Sequence, residues 1–137
     1  MALISGEEIA DTLENIVKEV RDNPEFKLEY LYNAAAVLIA VGLIKKIHTL
    51  KVIGNYILSI PSKFRPLLAY KYQLLGAVEE LEVKIGKQIE EALDETLGII
   101  SSIGEKLRQG ELSETSFVEY MGKLEDLFSK MPTFKEE

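Results

Sequence analysis

The chain has no cysteine and no tryptophan, a single histidine, four prolines, and no acidic residue from position 30 to position 78. Without cysteine there is no disulfide scaffold, thiolate zinc site, iron–sulfur cluster or cysteine nucleophile. The same absence points to an intracellular protein. The lone His48 stands in "KKIHTLK", among bases that disfavour a bound cation, and no Glu-x-x-His pattern accompanies it. It reads as a surface or interface residue, not as a metal ligand or general base. The glycines are scattered and form no phosphate-cradling loop. Two carboxylate clusters, Glu79, Glu80 and Glu82, then Glu90, Glu91, Asp94 and Glu95, fit no calcium loop and read as solvated helix faces. The sequence therefore predicts a non-enzymatic protein with no catalytic residue, no metal and no cofactor. Only three Gln and four Asn stand against abundant Glu and Lys, a mix that leans toward a thermophilic source.

Strand-like alternation bounded by turn residues is missing as well, so the expected fold class is all-α. A length of 137 residues, 47% of them hydrophobic, suits one domain with one core. The start, "MALISGEEIADTLENI", lacks the basic and apolar pattern of a signal peptide. The longest uncharged run, "YLYNAAAVLIAVGLI" at 30–44, is 15 residues. As a helix it would span roughly 22 Å, short of a bilayer core of roughly 30 Å. It reads as a helix buried on all sides, and a membrane span is disfavoured.

Four helices are expected. The first covers about 5–22, opened by a capping-box pattern at Ser5 and Glu8 and carrying the stripe Ile9, Leu13, Ile16, Val17 and Val20. Asn23-Pro24 ends it and starts the second, about 24–60, with Gly42 and Gly54 as weak points and Pro61 as its stop. The third, about 66–109, opens at Pro66 and closes at Gly110, with a break most expected at 97–104. The fourth, about 113–131, starts at Ser113 and ends before Pro132. Glu14–Lys18, Glu80–Lys84, Glu119–Lys123 and Asp126–Lys130 are acid-before-base pairs that mark wet faces. Short connections give an antiparallel four-helix bundle with two long central helices and two shorter flanking ones.

The unequal lengths have a consequence. The far half of the central hairpin would be two helices thick and would expose Ile47, Leu50, Ile53, Ile57, Leu67, Leu74, Val78 and Leu81. A patch of that kind calls for a partner, and these residues are the expected interface of a homodimer; the competing solution is that the long helices break at Gly54, Gly86 or Gly98 and fold back into a monomer of five or six helices. Charge follows the same division. The acid-free middle carries six bases, while eight acids against three bases precede it and fifteen against seven follow it. The segment "IPSKFRPLLAYKY" reads as the hairpin turn, and Lys63, Phe64, Arg65, Tyr70, Lys71 and Tyr72 as a candidate contact surface for an unidentified protein. The alternative is an anionic partner, nucleic acid or a membrane surface, met by the basic hairpin end. Both are disfavoured because the bases are sparse and the rest of the chain is acidic.

From "SGEEIADTLENIVKEV" to "SFVEYMGKLEDLF" the chain is a series of helical stripes, cysteine-free and rich in surface Glu and Lys. In length and character it resembles the small proteins of the spindle-shaped viruses that infect hyperthermophilic archaea such as Pyrococcus abyssi. That resemblance implies a four-helix bundle acting through protein–protein interaction, in the host cytoplasm. It supplies no site residues.

Overall fold

The computed structural model describes residues 5–73 and 79–130; the side chains at 25–26, 66–73, 79–86, 89 and 130 are outside the description. The described residues form helices joined by short links, with no strand among them. The helices are α1 (Gly6–Asp22), α2 (Pro24–Lys27), α3 (Tyr30–Lys45), α4 (His48–Gln73), α5 (Glu79–Arg108) and α6 (Val118–Lys130), the last preceded by a 3-10 turn at Glu114–Phe117.

Local chemistry explains most of these boundaries. Ser5 caps α1: its Oγ accepts the Glu8 N–H at 3.1 Å. Ala10, Leu13, Ile16, Val17 and Val20 then bury one face. Asn23 closes α1, and Pro24 opens the single turn of α2. Gly110 closes α5 at φ 81, where a side chain would be strained. The Gly110 and Glu111 N–H groups donate to the Leu107 and Lys106 carbonyls.

Two expected boundaries are corrected. The helix placed at 24–60 is three pieces, separated at 28–29 and at Lys46–Ile47. Lys46 adopts the left-handed conformation (φ 59, ψ 43), and both its N–H and that of Ile47 donate to the Gly42 carbonyl. This is a Schellman-type stop made without glycine, so no glycine in the sequence marks it. A non-glycine residue there costs about 1–2 kcal/mol. Lys46→Gly should therefore stabilise the fold by ~0.5–1 kcal/mol, after loss of a favourable charge at a helix C-terminus; urea unfolding of the two chains checks it.

The second correction concerns the proline-framed segment. Pro61 and Pro66 do not bracket a turn; both lie inside α4, which runs from His48 to Gln73. An interior proline costs about 3 kcal/mol or more. Packing overrides it here. Leu50, Ile53, Ile57, Ile60 and Phe64 recur every three or four residues, and all are fully buried. The apolar stripe crosses Pro61 without losing register, and each large side chain contributes about 1.5–3 kcal/mol on burial. Accordingly Pro66 belongs to α4 and does not open the next helix, and α5, described from Glu79, passes through 97–104 unbroken.

The helices share one core. α3 packs most extensively on α4 and α1 on α5; α1 also meets α3, while α4 touches α5 and α6. Buried residues from α1, α3, α4, α5, the 3-10 turn and α6 form one cluster. Two devices hold it. Gly54 lets α4 lie against α3, since a Cβ there would stand 3.1 Å from the Ala35 carbonyl oxygen and 3.2 Å from the Ile39 amide nitrogen. Arg108 ties α5 to α1 through Asp11 (2.8 Å) and Glu14 (3.2 Å), and also reaches Glu105. Glu14 thus turns to Arg108, whereas Glu119–Lys123 forms at 3.3 Å as the spacing predicts.

Candidate contact surface on the third helix

Six of the sixteen residues of α3 point inward and are buried: Leu31, Ala34, Ala35, Leu38, Val41 and Gly42. The opposite side is open. At 100° per residue, Tyr32, Asn33, Ala36, Ala40, Leu43 and Ile44 form one stripe, and all six are exposed. Leu43 and Ile44 are 60% and 64% exposed, more than any other large apolar side chain described. The stripe contains no charged residue over about four helical turns. An amphipathic surface helix would carry polar and charged side chains there.

Bases gather where the stripe ends. Lys45 and Lys46 terminate α3, and Lys51 lies within the first turn of α4. None of the three forms a salt bridge with a described residue. The corner is fixed from the far end of the chain. The Glu114 carboxylate accepts the N–H groups of His48 and Thr49, the latter at 2.9 Å, and the Thr49 hydroxyl also donates to it. A residue 65 positions away thus caps the start of α4.

These contacts lower the Glu114 pKa, the Thr49 hydroxyl contributing most and the Thr49 and His48 amides next. A depressed carboxylate pKa stabilises the fold above the ordinary carboxylate range. The contribution is lost as pH falls through the depressed value. Glu114→Gln should therefore be less stable than the wild type at neutral pH. The gap should close as pH drops below the carboxylate range, as thermal unfolding across pH would show.

The residues expected from sequence are distributed differently. Phe64 is fully buried and belongs to the core, so it is not a contact residue. Lys63 sits over the Phe128 ring at 5.2 Å, and Arg65 pairs with Glu29. Both bases thus have partners within the chain. The side chains of Tyr70, Lys71 and Tyr72 lie outside the described residues. Of the expected dimer interface, Ile47, Leu50, Ile53 and Ile57 are buried in the chain's own core at 2% exposure or less and cannot meet a partner. The Leu67 and Leu81 side chains, and Leu74 and Val78 altogether, lie outside the description. The acid-free stretch folds mainly as α3 and α4, so Lys45, Lys46 and Lys51 stand at the α3–α4 corner, and Lys63 and Arg65 lie along α4 and not in a turn after Pro61.

Elsewhere, Arg21, Pro24, Glu90, Glu91, Leu93, Asp94 and Leu97 line an open cleft of about 460 Å³, crossed by the Arg21–Asp94 pair at 3.4 Å. No group of three or more His, Cys, Asp or Glu that could hold a metal ion occurs among the described residues. Nor, among them, is any helix long and apolar enough to cross a membrane. Compared with known protein families, curated proteins and solved structures, the chain matches none.

Proposed function

We propose that the protein is a non-enzymatic helical scaffold that works by docking the outer face of α3 onto another protein. The observation that carries this reading is the uncharged exposed stripe from Tyr32 to Ile44 on a helix that is apolar all round. Such a helix is ordinarily enclosed, and a contiguous exposed apolar surface marks an interaction site. The finer architecture we assign is an antiparallel four-helix bundle of α1, α3, α4 and α5. Gly42 lying against Lys51, and Gly54 against Ile39, agree with opposed directions for α3 and α4; Gly6 against Leu107 agrees for α1 and α5. Protein–protein interaction is also what the likeness to small archaeal-virus proteins implies. The anionic-partner alternative is weakened at the proline segment, where Lys63 and Arg65 are engaged internally.

A photoreactive residue at position 40 tests the reading in extracts of the producing cells, with position 125 on α6 as control. Protein adducts should form from position 40, not from 125, and Ala36→Glu in the same chain should abolish them. Equal yields from both positions, or none from 40, would contradict it.

A further inference from the structure

We infer that the α3–α4 corner binds an anionic lipid surface, with Leu43 and Ile44 entering the headgroup layer and Lys45, Lys46 and Lys51 meeting its negative charge. This goes beyond the docking reading and does not rest on it. The site is the end of the α3–α4 hairpin, where four consecutive residues, Leu43 to Lys46, are exposed. A helix turns through slightly more than a full circle in that span, so these side chains surround the end of α3 and do not lie along one flank. Lys51 reaches the same place: its stem lies so close to Gly42 that a Cβ there would stand 2.7 Å from Lys51 Cγ. Leu112 is exposed at this end too, two residues before Glu114, whose carboxylate caps the start of α4. Bulky apolar side chains and bases thus meet at one corner from two separate segments of the chain.

Charge selects the kind of surface. Of the six bases in the acid-free stretch, the fold gathers three here. The acids of the same end are largely engaged within the chain. Glu7 and Asp11 pair with Arg108, Glu111 pairs with Lys106, and Glu114 is held in the α4 cap. Glu8 alone remains, against three lysines without an anion among the described residues. Lipid suits this corner better than a phosphate polymer. Single-stranded nucleic acid is held by aromatic side chains that stack on its bases. Across 43–51 and 109–118 the only Phe or Tyr is Phe117, which is fully buried. Exposed leucine and isoleucine beside lysines are instead the composition of an interfacial anchor, with apolar tips at the acyl boundary and ammonium groups at the headgroups. So few groups give reversible attachment to the surface and no insertion of a helix.

Vesicle sedimentation with the purified full chain reads the outcome. Vesicles of phosphatidylserine and phosphatidylcholine in equal parts should carry the chain down at low salt, vesicles of phosphatidylcholine alone should not, and added salt should release it. Each lysine near an anionic surface contributes about five-fold to partitioning, so Lys45→Gln with Lys46→Gln should lower it about 25-fold. Leu43→Ser with Ile44→Ser should lower it by about ten-fold or more. All four positions are exposed, so circular dichroism should be unchanged in both variants. Leu58→Ser, exposed farther along α4, and Lys18→Gln on α1 should sediment like the wild type. No sedimentation with the anionic vesicles at low salt overturns the inference, and so does binding indifferent to the Leu43 and Ile44 pair. Duplex DNA that strips the chain from vesicles, and that the lysine variant no longer binds while the serine variant still does, would reassign the corner to nucleic acid and overturn the lipid. Adducts from position 40 bear on the docking reading alone, so the two proposals fail separately.

Discussion

Phe64→Ala should cost about 3–5 kcal/mol, the range for truncating a buried aromatic. Total stability for a domain of this size is about 5–15 kcal/mol, so the variant should be close to unfolding at moderate denaturant. Phe64 has no exposed surface and is among the largest fully buried side chains described. It lies between Pro61 and Pro66, in the segment whose composition suggests a turn. Were that segment a solvated turn, Phe64→Ala would fall within the ~0.5 kcal/mol typical of surface positions. Equilibrium urea unfolding separates the two outcomes. Lys63→Ala is the control: its exposed ammonium over the Phe128 ring is a cation–π contact of modest worth, about 0.5–1 kcal/mol.

Gly54→Val should be the second large effect, at about 2–3 kcal/mol. A Cβ at this position would stand 2.5 Å from Ile39 Cγ1 and within 3.2 Å of two α3 backbone atoms. The Ile39 side chain can swing away, but the Ala35 carbonyl and the Ile39 amide move only if α3 and α4 separate. Gly98, on α5, is the contrast, because a Cβ there would meet nothing within 4 Å. Gly98→Ala should gain up to ~1 kcal/mol in helix propensity. Opposite signs at the two glycines, measured by denaturant unfolding, would show that Gly54 serves close packing and Gly98 does not.

Much of the fold was legible in the sequence where local chemistry decides it. Ser5 with Glu8, Asn23-Pro24 and Gly110 each mark a boundary by satisfying or removing backbone groups, and each behaves accordingly. The stripe of α1 follows from spacing alone. The errors arose where local and tertiary effects disagree. Two prolines argue for a turn, but Ile57, Ile60 and Phe64 keep helical phase across Pro61, and burial outweighs the lost hydrogen bond. The stop at Lys46 uses a left-handed residue of a type that rarely adopts that conformation, so no sequence pattern announces it. Displacing the turn also reversed the site assignment. Ile47, Leu50, Ile53 and Ile57 were expected to be exposed on a two-helix-thick hairpin, but the α3–α4 link and α4 present them to the chain's own core.

The outer face of α3 was hidden for a different reason. A run of 15 uncharged residues has no polar side to orient it. Pattern alone therefore says that it is apolar but not which face lacks a neighbour. The clue was the run's end, where Leu43 and Ile44 directly precede two lysines. Both side chains protrude.

Because the chain has no native cysteine, thiol labelling can address that face without background. Ala40→Cys in dilute protein should react at nearly its rate in denaturant, while Ala34→Cys on the buried side should stay slow. Equally slow labelling at both positions in dilute protein would mean that α3 is enclosed on every side, and that it has no docking face.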